Sequence, residues 1–416
     1  MVVSINRFVK RLDLAHYAKP LPRKHEPIHD WFVFPHSFSK QLVEQLLASM
    51  EIAVGSKVAD IFAGAGTTLL TCKQHGVSCI GYDLLPVAVH ISNTKVADYR
   101  VEGLRRALEF LISNWDSGRQ PLLSSPQIPI IRKAFDEQTL RQFLLIREDI
   151  AKLDDAQARD FFLTALLGII GYFSKTLKAG GWLKLQPDKE VLPSAVFPGF
   201  CARAEQMMTD LTENKFHRPL KGEWKTYLGD ARALEESDIY DGVITSPPYL
   251  NKHDYTRIFA LELGLVFVSN HEELKALRYN SLCSHTEARR QDWINVEGYI
   301  EPPTLTRLIS QMSERELYNP KLPSMVRGYF EDMYCVLRST SRILKRGAKA
   351  AFVLGNVRYA GIMIPVDEIV AEIGEQVGMK WVNTWIIRYR GNSAQQMGKY
   401  TLEPSRESIV FWKQKK

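Results

Sequence analysis

A hydroxyl, a rigid stretch of backbone and an aromatic ring stand together where one apolar run of the sequence ends. Residues 241–245 read as a buried strand, and Ser246, Pro247, Pro248 and Tyr249 follow directly. A serine hydroxyl and a carbonyl held by two prolines can accept hydrogen bonds, and a tyrosine ring can stack on a planar ligand. Taken alone, the same four residues fit a plain Pro-Pro turn.

A second group of this kind lies in the stretch VADIFAGAGTTLL. Asp60 ends an apolar run, Gly64 and Gly66 follow, and Thr67 opens a helical pattern. Glycines at such a junction let the backbone approach a ligand, and the helix N-terminus offers free amide groups. The stretch lacks the third glycine of the dinucleotide motif and the Gly-Lys-Ser/Thr of a P-loop, so it favours another nucleotide-like cofactor. For a single loop, glycines that serve packing alone are the competing interpretation.

Two further acids follow apolar runs, Asp83 in GYDLL and Asp230 in YLGDARAL. A carboxylate at the end of the second strand can accept both hydroxyls of a ribose, and Asp230 is placed to receive the exocyclic amine of adenine. Three acids at successive strand ends, with the glycine loop at the first, predict one cofactor site. Its predicted residues are Asp60, Phe62, Gly64, Gly66, Thr67, Asp83, Leu84 and Asp230.

These residues need a scaffold that brings strand ends together. The segments that read as buried parallel strands are 56–66, 77–86, 240–249 and 348–356, and TTLLTCKQHG between the first two has helical spacing. This order predicts a doubly wound, mostly parallel α/β sheet with its ligands at the carboxyl ends of the strands. The C-terminal stretches WVNTWIIRYR and ESIVFWK predict a final antiparallel hairpin.

Two regions interrupt the strand pattern and suggest five parts of the chain. The range 101–222 has helical patterns broken by Pro-rich and Gly-rich pieces, and we expect a mostly helical insertion with contact to nucleic acid. The range 269–325 reads as an irregular basic insertion and a candidate for target recognition. The ranges 1–100, 223–268 and 326–416 then carry the N-terminal, catalytic and C-terminal parts of one domain.

Composition indicates an ordinary soluble globular protein of 416 residues, 45% apolar and 24% charged. The excess of Lys and Arg over Asp and Glu is +7, which favours a polyanionic partner if the excess is clustered. The five cysteines are scattered without zinc spacing, so we expect neither disulfides nor structural metal. No window approaches the roughly 18 apolar residues of a membrane helix and the start has no signal-peptide core, so we expect a cytoplasmic protein without membrane attachment.

The motifs resemble those of the amino-directed DNA methyltransferases. DIFAGAGTT is similar to the D-P-F-x-G-[ST]-G-T-T motif of that family, and TSPPY is similar to its catalytic [DNS]-P-P-[YFW] motif, here in the Ser form. GYDLLPVAVHIS resembles the ribose-binding strand end and GDAR the adenine-side acid. HDWFVFPHSFSKQLVEQLL looks like the segment that closes the methionine side of the pocket. The resemblance is specific over about 28–95 and 226–265, and it implies a class I methyltransferase fold with S-adenosylmethionine as cofactor.

Two departures concern Ile61, where the family usually has proline, and Ala65, where Ser or Thr is commoner. The cofactor motif also precedes the catalytic one, whereas many serine-type members have the reverse order. The loop geometry should survive both substitutions, but the subgroup and the position of target recognition stay open.

The resemblance implies a role for each residue of SPPY. Methyl transfer to an exocyclic amine requires a nitrogen lone pair that is not delocalised into the ring, and acceptors that hold the amine hydrogens favour it. The Ser246 hydroxyl and the Pro247 carbonyl can be those acceptors, while Pro248 keeps the backbone rigid. Tyr249 can then stack on a base flipped out of the duplex.

The Ser form of the motif is typical of cytosine-N4 enzymes, and we therefore expect site-specific methylation of DNA at cytosine N4 in restriction-modification or phage defence. Adenine-N6 methylation and methylation of a base amine in RNA are the alternatives within the reaction class. A catalytically inactive nucleic-acid-binding protein is the alternative outside it. Cytosine-C5 methylation is excluded, because none of the cysteines follows a proline.

DNA is the expected partner, with RNA as the alternative and a restriction nuclease as a functional partner. Stretches that mix basic and aromatic residues suit phosphate contact and base stacking. The candidates are Lys252, His253, Arg257, Arg289 and Arg290 around the catalytic loop, with Arg278, Tyr279, His285 and Trp293 nearby and Lys178, Trp182 and Lys184 in KAGGWLKLQPDK. A solvated charged face with aromatic anchors is the competing interpretation.

Overall fold

The computed structural model describes residues 7–18, 25–34, 37–213, 221–251, 253–288, 296–390 and 404–415. The strands of the described residues are β1 Phe8–Lys10, β2 Lys57–Asp60, β3 Ser78–Asp83, β4 Thr176–Ala179, β5 Trp182–Leu185, β6 Trp224–Leu228, β7 Tyr240–Thr245, β8 Leu344–Gly355, β9 Val357–Tyr359, β10 Ile362–Ile364, β11 Met379–Arg390 and β12 Ser405–Gln414. The helices there are α1 Lys40–Ser49, α2 Thr67–Gln74, α3 Pro86–Val96, α4 Val101–Ser113, α5 Pro129–Ala134, α6 Glu137–Ala151, α7 Ala156–Ile169, α8 Val196–Glu213, α9 Tyr255–Ile258, α10 Ala260–Glu262, α11 His271–Asn280, α12 Pro303–Ser313, α13 Leu322–Ile343 and α14 Val366–Gln376. Short 3₁₀ turns at Leu12–Ala18, His29–Trp31 and Pro193–Ala195 and a π-helical turn at Leu263–Phe267 complete the list.

Eight strands form the main sheet in the order β1-β11-β12-β8-β7-β2-β3-β6. The pairs β6–β3, β3–β2, β2–β7, β7–β8 and β1–β11 are parallel, whereas β12 runs antiparallel to both β8 and β11. The structure therefore confirms the predicted mostly parallel sheet with a final antiparallel hairpin. Two small sheets, β4–β5 and β9–β10, lie apart from it.

Both faces of the sheet are covered, as expected for a doubly wound fold. Along β8, Val353 packs into the core on one face, and Phe352 and Leu354 pack into the core on the other. Along β12, Phe411 and Trp412 divide between the two cores in the same way. Successive side chains of a strand point to opposite faces, so two apolar faces require a nearly continuous apolar run. That requirement explains why the central strands could be recognised in the sequence.

The predicted strand segments extend beyond the strands themselves. The segment 56–66 contains only the four residues of β2, because the chain leaves the sheet after Asp60 to form the glycine loop. The segment 240–249 likewise ends as a strand at Thr245, before the Ser246 loop. Strand β8 starts earlier than predicted, at Leu344.

The two interrupted regions contain the elements that the sequence left least defined. Helices α4 to α8 and the hairpin β4–β5 fall in 101–222, and the hairpin was not predicted. The range 269–325, expected to be irregular, holds helices α11 and α12. The side chain of Asn270 caps α11 by accepting from Glu273 N (3.0 Å), and a proline begins α12. The five-part division of the chain stays a prediction.

None of the helices in the described part of the chain combines the length and the apolar character that a membrane-spanning segment needs.

Candidate active site

A cleft of about 1150 Å³, counting the solvent space at its mouth, opens at the carboxyl ends of β2, β3 and β7. The loops after all three strands contribute to it, as predicted from the positions of the motifs. Its walls include Phe34, Ser37 and Phe38 before α1, Asp60 to Ala65 and Thr67 around the glycine loop, Asp83 to Leu85, Gly229 and Ala231, Ser246 to Tyr249, His253 to Thr256, and Leu277, Ser281, Leu282, Ser284 and His285. The structure thus places the two sequence motifs on one cavity.

Asp60 joins the glycine loop to the strand that carries the SPPY motif. The Thr245 hydroxyl donates to Asp60 Oδ1 (2.6 Å), and the Phe62 amide donates to both Asp60 Oδ1 (3.2 Å) and Thr245 Oγ1 (3.1 Å). The Asp60 side chain is buried, and burial raises its pKa. Since Thr245 directly precedes Ser246, this network fixes the position of one motif relative to the other.

Asp83 is held in the cleft wall by two backbone amides. Gly64 N donates to its Oδ2 and Leu85 N to its Oδ1, each at 2.9 Å. Burial raises the pKa of Asp83 to about 6, against the opposing effect of these hydrogen bonds. Each carboxylate oxygen has two lone-pair directions, so each can accept one further hydrogen bond. The carboxylate is therefore oriented and still able to accept from a pair of hydroxyls.

Gly66 lies behind the cleft wall, between α2 and α3. It has φ 77°, and a Cβ added there would lie 2.7 Å from Ser92 Cβ and 2.8 Å from Ser92 Cα. No side chain fits at that distance from the backbone of α3. The structure thus gives this predicted cofactor residue a packing role that sets the start of α2, while Thr67, the next residue, lines the cleft.

The SPPY residues are tied to the strands on their far side. The Ser246 hydroxyl donates to the Val353 carbonyl of β8 (3.2 Å), and the Tyr249 hydroxyl donates to Glu407 Oε1 of β12 (2.7 Å). The guanidinium carbon of Arg390 lies 5.2 Å from the centroid of the Tyr249 ring. Burial raises the pKa of the Tyr249 hydroxyl well above its usual value, so it stays a donor to Glu407. The loop therefore presents a fixed hydroxyl oxygen and a fixed ring to the cleft.

Asp230 is not among the residues that line the cleft, although its neighbours Gly229 and Ala231 are. Arg232 binds both of its carboxylate oxygens, through Nε (3.0 Å to each) and Nη2 (2.7 Å to Oδ2). The same guanidinium reaches Asp332 on α13 through Nη1 (3.1 Å). The contact of Asp230 with an adenine amine stays a prediction, and the structure adds that this carboxylate is paired with Arg232, which the sequence did not reveal.

The predicted nucleic-acid contacts separate into three groups. His253 lines the cleft. Arg257 and Arg278 are engaged with acids: Arg257 pairs with Asp254 (3.3 Å) and Glu287, and the buried Arg278 pairs with Asp254 (2.7 Å). Lys252, Arg289, Arg290 and Trp293 lie outside the described residues.

His285 is also buried, with Nε2 2.9 Å from Ser281 Oγ, and burial lowers its pKa, so it is no surface cation for a phosphate. Lys178 is paired with Glu262 (2.6 Å), whereas Trp182 is 57% exposed and Lys184 is exposed.

Sequence reasoning missed most of the wall contributed by 254–256 and 277–285. Asp254 is buried, caps α9 by accepting from Thr256 N (2.9 Å), and forms the ion pair with Arg278 that ties α9 to α11. An Asp directly before a short helix is a capping signal, and this signal was the sequence feature that could have pointed to a structured wall at 254–256. The apolar and small residues of 277–285 follow no period that would have marked them as lining a site.

This architecture defines a class of enzyme. A doubly wound sheet with one antiparallel strand near its edge, a glycine loop after β2 and an acid after β3 is the arrangement of a class I S-adenosylmethionine-dependent methyltransferase. The residues present suit that cofactor: a buried carboxylate with free acceptor positions for ribose hydroxyls, aromatic and apolar walls at Phe34 and Phe38, and a helix N-terminus at Thr67.

Comparison with known proteins narrows the class. A family model described as DNA methylase matches residues 14–94. The type II methyltransferase M.AvaI of Anabaena variabilis is 30% identical over 94% of this chain and 87% of its own length. M.BsoBI of Geobacillus stearothermophilus, also a type II methyltransferase, is 28% identical over 94% of this chain and 86% of its own.

Among solved structures, a TehB-like S-adenosylmethionine-dependent methyltransferase from Corynebacterium glutamicum aligns with a TM-score of 0.30 and 10% identity over 90% of this chain and 88% of its own. The sequence matches extend over almost the whole chain, the inserted regions included. The chain belongs to the family of N6/N4-directed DNA methyltransferases, and it is an S-adenosylmethionine-dependent enzyme of that family.

Proposed function

We propose that the enzyme transfers a methyl group to the exocyclic N4 of cytosine at a specific sequence in DNA, as the protective half of a restriction-modification or phage-defence system. S-adenosylmethionine, when bound, supplies a methyl group made electrophilic by its sulfonium centre. The residues of the chain then have to hold the base, orient its amine and keep water away from the reaction.

The observation that carries the proposal is the hydrogen bond from the Ser246 hydroxyl to the Val353 carbonyl. A hydroxyl has a single hydrogen, and in this bond Ser246 donates it to β8 (3.2 Å), with the Tyr249 side chain as a second hydrogen-bonding neighbour. The lone pairs of the Ser246 oxygen can then accept from an amine in the cleft, which Ser246 lines. An acceptor at this position is what an amine donor requires, because the bond localises the nitrogen lone pair toward the methyl group.

A serine acceptor also favours cytosine over adenine. The support comes from the resemblance of SPPY, with Ser246 at its first position, to the form of the motif that is typical of cytosine-N4 enzymes.

The other cleft residues take roles that follow from their chemistry. We assign Asp83 to the ribose hydroxyls, because its carboxylate is oriented by Gly64 and Leu85 and retains acceptor capacity. We assign Tyr249 to stacking on the flipped base, because its ring lines the cleft and is fixed by Glu407. We assign Asp60 an indirect, positioning role, because it binds Thr245 and thereby fixes the start of the loop that carries Ser246.

The type II methyltransferases M.AvaI and M.BsoBI support the sequence-specific part of the proposal, because the similarity to both covers the inserted regions as well as the cofactor motifs. We propose a restriction nuclease as the functional partner, as the restriction-modification role implies.

The test is direct identification of the product. The protein is incubated with isotope-labelled S-adenosylmethionine and unmethylated plasmid DNA, and in parallel with total RNA, and the nucleosides are resolved by mass spectrometry. We expect label in N4-methyldeoxycytidine alone. Label in N6-methyladenine overturns the assignment to cytosine, and label confined to RNA overturns the assignment to DNA.

A matched pair of variants tests the role of Ser246. Ser246→Ala removes the acceptor and should lower turnover about 10- to 100-fold, the effect of losing a hydrogen bond of about 1.5–3 kcal/mol in the transition state. Its affinity for S-adenosylmethionine should stay at the wild-type level, since the hydroxyl bonds to β8. Asp83→Ala should show the opposite pattern: its affinity for S-adenosylmethionine should fall, and its turnover should be affected less. Full turnover in Ser246→Ala would contradict the mechanism.

A further inference from the structure

The hairpin β4–β5 has two chemically different faces. Its register pairs Ala179 with Trp182 and Leu177 with Lys184. Paired residues of an antiparallel ribbon point to the same side and successive residues alternate. One face therefore carries Leu177, Ala179, Trp182 and Lys184, and the other carries Thr176, Lys178, Leu183 and Leu185.

The second face anchors the hairpin to the protein. Lys178 Nζ lies 2.6 Å from Glu262 Oε1 and 4.2 Å from the centroid of the Phe259 ring. Glu262 is buried, Thr176 is buried, and Leu183 packs against the main core. The inner side of the hairpin is thus held by an ion pair to a buried carboxylate and by apolar packing.

The first face is turned outward and is chemically mixed. Trp182 is 57% exposed and Leu177 is 52% exposed. Lys184, which pairs with Leu177 and lies two residues from Trp182 along β5, is exposed too. A tryptophan is seldom left so exposed, since its large apolar surface favours burial. An aromatic ring, an aliphatic side chain and a cation on one ribbon are the groups that stack on bases, contact sugars and pair with phosphates.

The turn of the hairpin touches the wall of the active-site cleft. A Cβ added at Gly181 would lie 2.8 Å from His253 Cδ2 and 3.2 Å from His253 Cα, and His253 lines the cleft. Asn251 braces His253 by accepting from its backbone amide (3.2 Å). Trp182 follows Gly181 directly and is exposed, so the outer face of the hairpin begins one residue from the contact with the cleft wall.

We infer that the outer face of β4–β5 is a DNA-contacting ribbon, with Trp182 stacking against the duplex next to the flipped nucleotide and Lys184 contacting a backbone phosphate. The inference deepens the proposed function by giving the inserted region a role in holding the substrate. It rests on duplex DNA being that substrate and is independent of which base receives the methyl group.

The test measures duplex binding and methylation by the full-length protein, with unmethylated plasmid DNA as the probe. Trp182→Ala should raise the Kd and the KM for DNA about 10-fold or more, within the range expected for the loss of one stacking contact. Trp182→Phe should recover part of that loss. The affinity for S-adenosylmethionine should be unchanged in both.

Lys184→Ala should lower the slope of log Kd against log salt concentration by about one, since one phosphate contact is removed. Val54→Ala is the control, and this variant should bind DNA like the wild type. Val54 is 82% exposed, but it lies before the amino end of β2, whereas the cleft is at the carboxyl end.

Wild-type DNA affinity, KM and salt slope in both Trp182→Ala and Lys184→Ala would overturn the inference. Adenine methylation by the wild-type protein would instead overturn the proposed function, and the ribbon would still be supported if Trp182→Ala had lost DNA affinity.

Discussion

Replacement of Gly66 by alanine should damage both the stability of the protein and its cofactor site. Two effects add at this position. The backbone has φ 77°, a left-handed conformation that costs an alanine about 1–2 kcal/mol. The added Cβ would also lie 2.7 Å from Ser92 Cβ and 2.8 Å from Ser92 Cα, about 1 Å inside ordinary contact distance. Since a backbone atom of α3 cannot rotate away, α2 and α3 have to separate.

The magnitude follows from the two terms. Overpacking of this kind costs about 1–3 kcal/mol. The backbone strain is partly offset by the lower entropy of alanine in the unfolded chain, about 0.4–1 kcal/mol. We therefore expect Gly66→Ala to lose about 2–4 kcal/mol of unfolding free energy. A shift of the loop also lengthens the 2.9 Å bond from Gly64 N to Asp83, and we expect the Kd for S-adenosylmethionine to rise about tenfold.

Gly55→Ala is the matched control. Gly55 has φ 85°, so the backbone strain is similar, but a Cβ there meets no atom within 4 Å. Its cost should be about 1 kcal/mol, with cofactor affinity unchanged. The assays are urea denaturation and titration with S-adenosylmethionine. If the two variants unfold at the same urea concentration and bind the cofactor equally well, the close approach of Gly66 to α3 has no energetic consequence and the reasoning is wrong.

Three further predictions concern the cleft and its supports. Burial raises the pKa of Asp83 to about 6, so protonation below pH 6 should remove its charge and weaken S-adenosylmethionine binding about tenfold per pH unit. Titration with the cofactor at several pH values measures this effect, and an equal pH dependence in Asp83→Asn would contradict it. Tyr249→Phe keeps the ring but loses the bond to Glu407, so it should retain turnover within a few-fold and lose about 1 kcal/mol of unfolding free energy in urea. Tyr249→Ala should lose turnover strongly, and equal turnover in both variants would exclude stacking. Lys178→Met leaves the Glu262 carboxylate buried without its cation, and it should lose about 3 kcal/mol of unfolding free energy, measured in urea. The double variant Lys178→Met/Glu262→Gln should recover much of that loss. No recovery would show that packing of the lysine side chain, and not its charge, stabilises the hairpin.

The central sheet and the cofactor motifs could be predicted because their signals are local. Strands buried on both faces must be continuously apolar, and this made the cores of β2, β3, β7 and β8 visible. Asp60, Asp83 and Ser246 each follow such a run directly. Since parallel strands end at one edge of a sheet, position along the chain sufficed to predict that these side chains share a cleft.

The partners of charged side chains could not be predicted in this way. Asp230 has the same local setting as Asp83, yet its carboxylate binds Arg232, which also reaches Asp332 one hundred residues further along the chain. Arg257 reads as a surface cation, and the fold places Asp254 and Glu287 beside it. An ionised group takes whichever counter-charge the fold brings within reach, and that choice depends on contacts between distant segments.

The amino-acid sequence by itself determined the fold class and the position of the glycine and SPPY loops at strand ends, because periodicity and loop residues act over a few neighbouring positions. The cofactor followed from the resemblance of these motifs to those of a known family. The tertiary structure alone decided which acids are paired with an arginine and that the hairpin β4–β5 touches the cleft wall at His253. It also decided which residues of 277–285 line the cleft, namely Leu277, Ser281, Leu282, Ser284 and His285. Those features arise where segments far apart in the chain pack together, and no local pattern encodes such a contact.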